Sequence, residues 1–187
     1  LSVDGPQSTN DTCAVMANGL AGNPEITAEC ESYEVFKKAL YIVMMNITKM
    51  LAKDGEGATK LLDCTVTGAK NLDTAIIVAK SVICSPLFKC AMFGADANWG
   101  RILCAVGYAE ADFDINKVDV SLSSKAGEIH VCHNGAGIEF SEEVAKTVLL
   151  EDEITISVSI GDGNGTATAW GCDLTYDYVK INGDYRS

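Results

Sequence analysis

One seven-residue stretch combines a carboxylate with unusual backbone freedom: Asp54-Gly55-Glu56-Gly57-Ala58-Thr59-Lys60. Glycine lacks a Cβ and tolerates positive φ, so a carboxylate between two glycines can be held close to neighbouring backbone. The stretch follows the longest amphipathic pattern in the sequence. A carboxylate just past a helix C-terminus faces about half an elementary negative charge from the helix dipole. It therefore needs a cation. Lys60 is one source, and the ammonium group of a ligand is another. An ordinary Gly-rich helix stop followed by a surface turn accounts for the same spacing.

Other groups that could do chemistry give less. The eight cysteines contain no Cys-x-x-Cys pair, and His130 and His133 are the only histidines. Zinc needs clustered ligands, so no metal site is expected. Cys13, Cys64, Cys90, Cys104, Cys132 and Cys172 fall in apolar or strand-like runs and read as small buried hydrophobes in a reducing compartment. Asp162-Gly163-Asn164-Gly165 lacks the spacing and closing Glu of a calcium loop, and reads as a hairpin turn. Ser8-Thr9-Asn10-Asp11-Thr12 can hydrogen-bond backbone or ligand; a polar turn is the plainer reading.

The elements that must position these residues follow from periodicity. Tyr33, Phe36, Leu40, Val43, Ile47 and Leu51 predict a long helix over 29–53. Residues 59–67 read as a strand and 71–83 as a helix capped by Asn71. Residues 13–17 and 87–93 read as buried strands, and Asp96 as the cap of a third helix. Past Phe113 the texture turns to short strands. Lys117–Leu122 and Glu128–Cys132 form a hairpin, Ser141 caps a short helix, and Ile154, Ile156, Val158 and Ile160 alternate inward. Residues 166–174 are expected to pair back on that strand. The result is an α/β (α+β) chain: a layered helix/sheet lobe over 1–110, a smaller ββαββ roll-like lobe over 111–175, and a tail, 176–187, whose three tyrosines call for docking.

The 187 residues suffice for one domain or one with a small lobe. A net charge of −12 without a basic block excludes nucleic-acid binding through phosphate neutralisation. No apolar run is long enough to span a membrane, so a cytoplasmic location is expected. The chain opens at Leu1 rather than Met, which reads as a fragment or processed product.

Five segments in register carry a resemblance. They are Ser8–Thr12, Asp54–Lys60, Ser85-Pro86-Leu87 with Lys89, Asp96-Ala97-Asn98-Trp99-Gly100-Arg101, and Cys172 through Asn182. Together they resemble the ornithine acetyltransferase (glutamate N-acetyltransferase) family of arginine biosynthesis over nearly the whole chain. The resemblance implies an N-terminal-nucleophile-like acetyltransferase architecture and a precursor that cuts itself before a threonine. That threonine takes acetyl from N-acetylornithine and passes it to glutamate. It implies an α chain of the same precursor as partner, in an α/β heterotetramer or higher, and no cofactor. Thr9, Thr12 and Thr59 are internal and lack a free amine, so no catalytic nucleophile is assigned here. Substrate-binding positions carry over to Glu56, Asn182 and Ser187, the last standing where the family has threonine. Lys60 and Lys89 are expected as structural ion-pair partners. Two rival readings are a related N-terminal-nucleophile amidase or aminopeptidase, with water as acceptor, and a non-catalytic binding or assembly module.

Overall fold

Apolar residues at three- and four-residue steps do make a helix here. In the computed structural model, which describes residues 1–5, 12–161 and 163–184, α1 runs Glu31–Lys53. Its burial, however, is unlike that of a core helix. Only Ala52 is buried, while Phe36, Tyr41 and Met50 are 58%, 62% and 69% exposed. Residues 12–30 ahead of it are exposed and carry no helix or strand, so the strand expected over 13–17 is absent. A short apolar run forms a strand only when a sheet edge receives it, and none does.

Six strands form one sheet: β1 (Leu61–Ala69), β2 (Asp119–Ser124), β3 (Gly127–His133), β4 (Ala136–Gly137), β5 (Glu153–Ser159) and β6 (Gly165–Cys172), in the order β4-β3-β2-β5-β1-β6. The β2–β3 hairpin forms as expected. The pairing of β6 does not. It runs antiparallel to β1, while β1 runs parallel to β5. A strand from residues 1–110 thus lies between two strands from 111–175, and the two expected lobes share one sheet and one core.

That insertion explains the glycine-rich segment between β5 and β6. It is not a tight hairpin; it must arch over the end of β1. The Gly163 N–H bonds the Gly68 carbonyl at 3.0 Å. A Cβ at Gly163 would be driven into the Ala69 carbonyl, and one at Gly165 into that of Asn71. Because the obstacle is backbone, Gly163→Ala is expected to destabilise the protein by about 1–3 kcal/mol. A lowered urea midpoint with unchanged m would report it.

Alternation sorts each strand into two faces. Leu62, Cys64 and Val66 of β1, Ile154, Ile156 and Val158 of β5, and Val120 and Leu122 of β2 are buried against helices. These helices are α2 (Leu72–Ile83), which packs on β1 and β6, and α5 (Glu142–Leu149), which packs on β2 and β3. Asn71 and Ser141 cap them by accepting from the Thr74 and Val144 N–H groups at 2.9 and 3.3 Å. The opposite face carries Asp63, Thr65, Ser121, Ser123 and Ser157. The C-terminal end of α1 reaches it through a Lys49–Asp63 ion pair of 3.4 Å, and Trp170 donates to the same carboxylate at 2.9 Å.

Residues 86–93 form a helix, α3 (Pro86–Phe93), not a strand. Ser85 caps it and Pro86 supplies the first turn, where a missing N–H costs nothing. Phe88, Lys89, Ala91 and Met92 face inward with helical spacing. The next helix, α4 (Trp99–Gly107), is capped by Asn98, which accepts from the Arg101 N–H at 3.1 Å; Asp96 instead accepts from the Asn98 side chain. Cys64, Cys132 and Cys172 are buried as expected, but Cys13, Cys90 and Cys104 are exposed. The last described element is α6 (Tyr176–Asp184).

Candidate functional site

The Glu56 turn is shaped from both sides. Asp54 closes α1, its N–H bonding the Met50 carbonyl at 3.0 Å. Gly55 is required by close approach rather than by φ: a Cβ there would lie 2.9 Å from Val3 and 3.0 Å from the Cys172 sulfur. Gly57 is the residue in the left-handed region, at φ +68, and a Cβ on it would lie 2.6 Å from the Tyr178 nitrogen. The two glycines thus let α1's end nest against Val3 and the start of α6.

Hydrogen bonds lock that contact. Asp173, 3% exposed, accepts from the Thr59 and Lys60 N–H groups at 2.8 and 3.0 Å and from the Thr59 hydroxyl at 2.5 Å. The Thr175 hydroxyl donates to the Gly57 carbonyl at 2.6 Å and accepts from the Tyr178 N–H at 3.1 Å. Tyr178 donates its hydroxyl to Asp4 at 2.9 Å. Burial holds the Tyr178 phenol above its ordinary pKa. Its bond to Asp4, and the negative charges of Asp4 and Glu56, push the same way.

Glu56 itself is exposed, and no hydrogen bond or ion pair ties it to another described residue. Lys60 does not answer it. Its ammonium turns to the end of α5, donating to the carbonyls of Leu149 at 2.6 Å and Glu151 at 3.3 Å, and burial pulls its pKa down. Lys89 likewise donates to the Val3 carbonyl and lies 3.9 Å from the Cys172 sulfur. Among the described residues both lysines donate to backbone carbonyls, not to the carboxylates expected as their ion-pair partners. A helix end whose carbonyls point into the fold offers a better partner than an exposed acid. Glu56 is left without a partner among the described residues at the negative end of α1, and both it and Asp4 act on the Tyr178 phenol. Such a place favours a bound cation.

Asn182 lies one turn beyond Tyr178 on the same face of α6, its amide donating to the Tyr178 carbonyl at 3.0 Å. The structure therefore brings the Glu56 turn and the helix that carries Asn182 into one unit. Ser187 and the Ser8–Asp11 part of the polar run lie outside the described residues. Thr59 is committed to Asp173. Among the described residues no group of three His, Cys, Asp or Glu side chains could hold a metal ion. An apolar hollow of about 480 Å³ beside the turn is lined by Ile47, Met50, Leu51, Lys53 and Asp54.

Asp4, Asp173, Thr175 and Tyr178 were not singled out by sequence reasoning. Three of them sit inside the 172–182 run, but a polar residue's long-range partner leaves no local trace. The signal available was an Asp and a Thr directly after an apolar strand, a place where buried polar groups must find bonds.

This mixed six-stranded sheet with its helices is the fold of a solved protein of arginine biosynthesis. A crystal structure of the arginine biosynthesis bifunctional protein ArgJ from Bacillus halodurans matches with a TM-score of 0.91 and 47% identity, over 98% of this chain and 85% of that one. The ArgJ family model matches residues 1–187, and the chain belongs to the ArgJ family. It is 54% identical over all 187 residues to ArgJ 1 of Clostridium acetobutylicum and 54% identical to ArgJ of Caldanaerobacter subterraneus. In both cases it spans 46% of the relative's length, so it corresponds to about half of those proteins.

Proposed function

We propose that this chain is the β-chain portion of a glutamate N-acetyltransferase, which moves acetyl from N-acetylornithine to glutamate in arginine biosynthesis. The observation that carries the reading is the unpaired Glu56 carboxylate, aimed outward from a turn stitched to α6. N-acetylornithine has one free ammonium, on its side chain. Glu56 receives it, and Asn182 and Ser187 take polar groups at the amino-acid end. The nucleophile is a threonine at the start of the complete β chain, outside these 187 residues. Its hydroxyl oxygen attacks the acetyl carbonyl while its own α-amino group takes the proton. Hydrogen-bond donors must stabilise the resulting oxyanion. Collapse expels ornithine's α-amine, which leaves with that proton, and the acetyl remains as an ester on threonine. Glutamate's amine then attacks the ester and the threonine hydroxyl is restored.

The partner is the α chain of the same precursor. Two features support it: α1 leaves Phe36, Tyr41, Ile42, Val43 and Met50 exposed, and the solved relative carries this region on a chain not much longer than this one. Exposed apolar surface of this extent marks a face that another chain covers, and the whole is proposed as an α/β heterotetramer or higher. Eight free thiols fit a reducing, cytoplasmic location. No single described helix is long and apolar enough to cross a membrane.

In the assembled protein, Glu56→Gln is expected to raise KM for N-acetylornithine by about 10- to 100-fold, the cost of one charged hydrogen bond. Unchanged kinetics would remove Glu56 from the site. The 187-residue chain by itself is expected to give no glutamate-dependent acetyl transfer, and turnover from it would overturn the placement of the nucleophile.

A further inference from the structure

Between the Glu56 turn and α6 stand two nearly buried polar residues that the proposed reaction does not use. Asp173 is 3% exposed and Thr175 is 5% exposed. Their bonds are distributed in a telling way. Gly57 gives its carbonyl to Thr175, while Thr59 and Lys60 give their N–H groups to Asp173. Every backbone tie falls beside Glu56 and none on its carboxylate. The turn is held while the acid stays free.

Thr175 does two jobs with one oxygen. As acceptor it binds the Tyr178 N–H and so caps α6; as donor it binds Gly57. It is thus a direct bond between the element that bears Glu56 and the helix that bears Asn182. Gly57 allows this because its left-handed φ and missing side chain let the Tyr178 nitrogen come close. Without the hydroxyl, the Gly57 carbonyl and the Tyr178 N–H both lose their partner.

We propose that Thr175 is a positioning residue for substrate binding: through its bonds to Gly57 and Tyr178 it fixes Glu56 relative to Asn182, with Asp173 anchoring the turn from the other side. The inference rests on Glu56 receiving the substrate ammonium and adds the device that aims it. A site whose parts are held before the ligand arrives spends less of its binding energy on ordering. Loosening it should therefore weaken substrate capture before it slows acyl transfer.

The test uses the assembled acetyltransferase and steady-state kinetics. Thr175→Val is expected to raise KM for N-acetylornithine about tenfold while kcat stays within about threefold. Thr175→Ser, which keeps the hydroxyl, should restore KM to within about threefold of the parent. In a Glu56→Gln background, Thr175→Val should raise KM no further, since the two act as one unit. If the two effects multiply, or if serine fails to rescue, Thr175 does not act through Glu56 and this inference falls while the Glu56 assignment stands. If Glu56→Gln alone leaves KM unchanged, the assignment beneath it falls instead. Should Thr175→Val not fold, Thr59→Val removes only the Thr59 hydroxyl bond to Asp173. It is expected to raise the same KM severalfold, and an unaltered KM there would overturn the proposal.

Discussion

Replacing Phe88 with alanine is expected to lower stability by about 3–5 kcal/mol, the usual cost of emptying a buried aromatic site. Phe88 is wholly buried in the hydrophobic core, whereas its neighbour Leu87 is 58% exposed. Leu87→Ala should therefore change stability by no more than about 0.5 kcal/mol. The pair of variants reads the packing of α3 directly. Urea unfolding of both would check it, and comparable losses at the two positions would contradict the helical orientation.

Above pH 9 the protein is expected to lose stability steeply, and Cys64 is the main reason. Burial pushes its thiol far above its ordinary value of 9.0, with the nearby charge of Asp63 adding to the effect. In the unfolded chain the thiol ionises near its ordinary value, while in the fold it keeps its proton. The native state then binds more protons than the unfolded state, so stability falls as pH rises. The slope is about 1.4 kcal/mol per pH unit for each such thiol. Burial raises Cys132 and Cys172 as well, with the same sign. Lys60 opposes them. Its pKa is lowered from 10.5 by burial, so stability rises with pH only between that lowered value and 10.5. Below pH 9 the thiol contribution is fully present. Urea midpoints of the reduced protein across this range, for the parent and for Cys64→Ala, check the assignment. The variant should show a slope flatter by about one proton. Equal slopes would mean that Cys64 titrates normally in the fold.

Local pattern carried much of the architecture. Ala75, Val78, Ala79 and Val82 mark the inner face of α2, and all four are fully buried. Asn71 and Ser141 cap the helices they precede, because a short polar side chain ahead of an apolar period can satisfy an orphan N–H without help from elsewhere. The alternation from Ile154 to Ile160 set the buried face of β5. The 172–182 run and the Gly-Glu-Gly stretch marked both halves of the candidate site.

Tertiary structure decided the rest, and in each case the missing information was a distant partner. Residues 86–93 are equally apolar as strand or helix. Their state was set by Ser85 and Pro86 at the start and by the faces of α2 and α4 that receive them. The pairing of β6 with β1 rather than β5 is a choice between two strands of the same polarity pattern, and nothing local separates them. The exposure of Cys13, Cys90 and Cys104, and of the α1 face, depends on what packs there rather than on the residues themselves. Lys60 lies four residues from Glu56, yet its cation went to the end of α5. Sequence proximity measures contour length, whereas an ion pair depends on where the fold has left an unsatisfied charge or carbonyl. The sequence by itself therefore determined α1, α2, α5, the β2–β3 hairpin and the buried face of β5, because each rests on local periodicity or a local cap. Only the fold could decide that Lys60 turns away from Glu56 and that Thr175 joins its turn to α6, because these bonds link residues 89 and 118 positions apart that meet only in space.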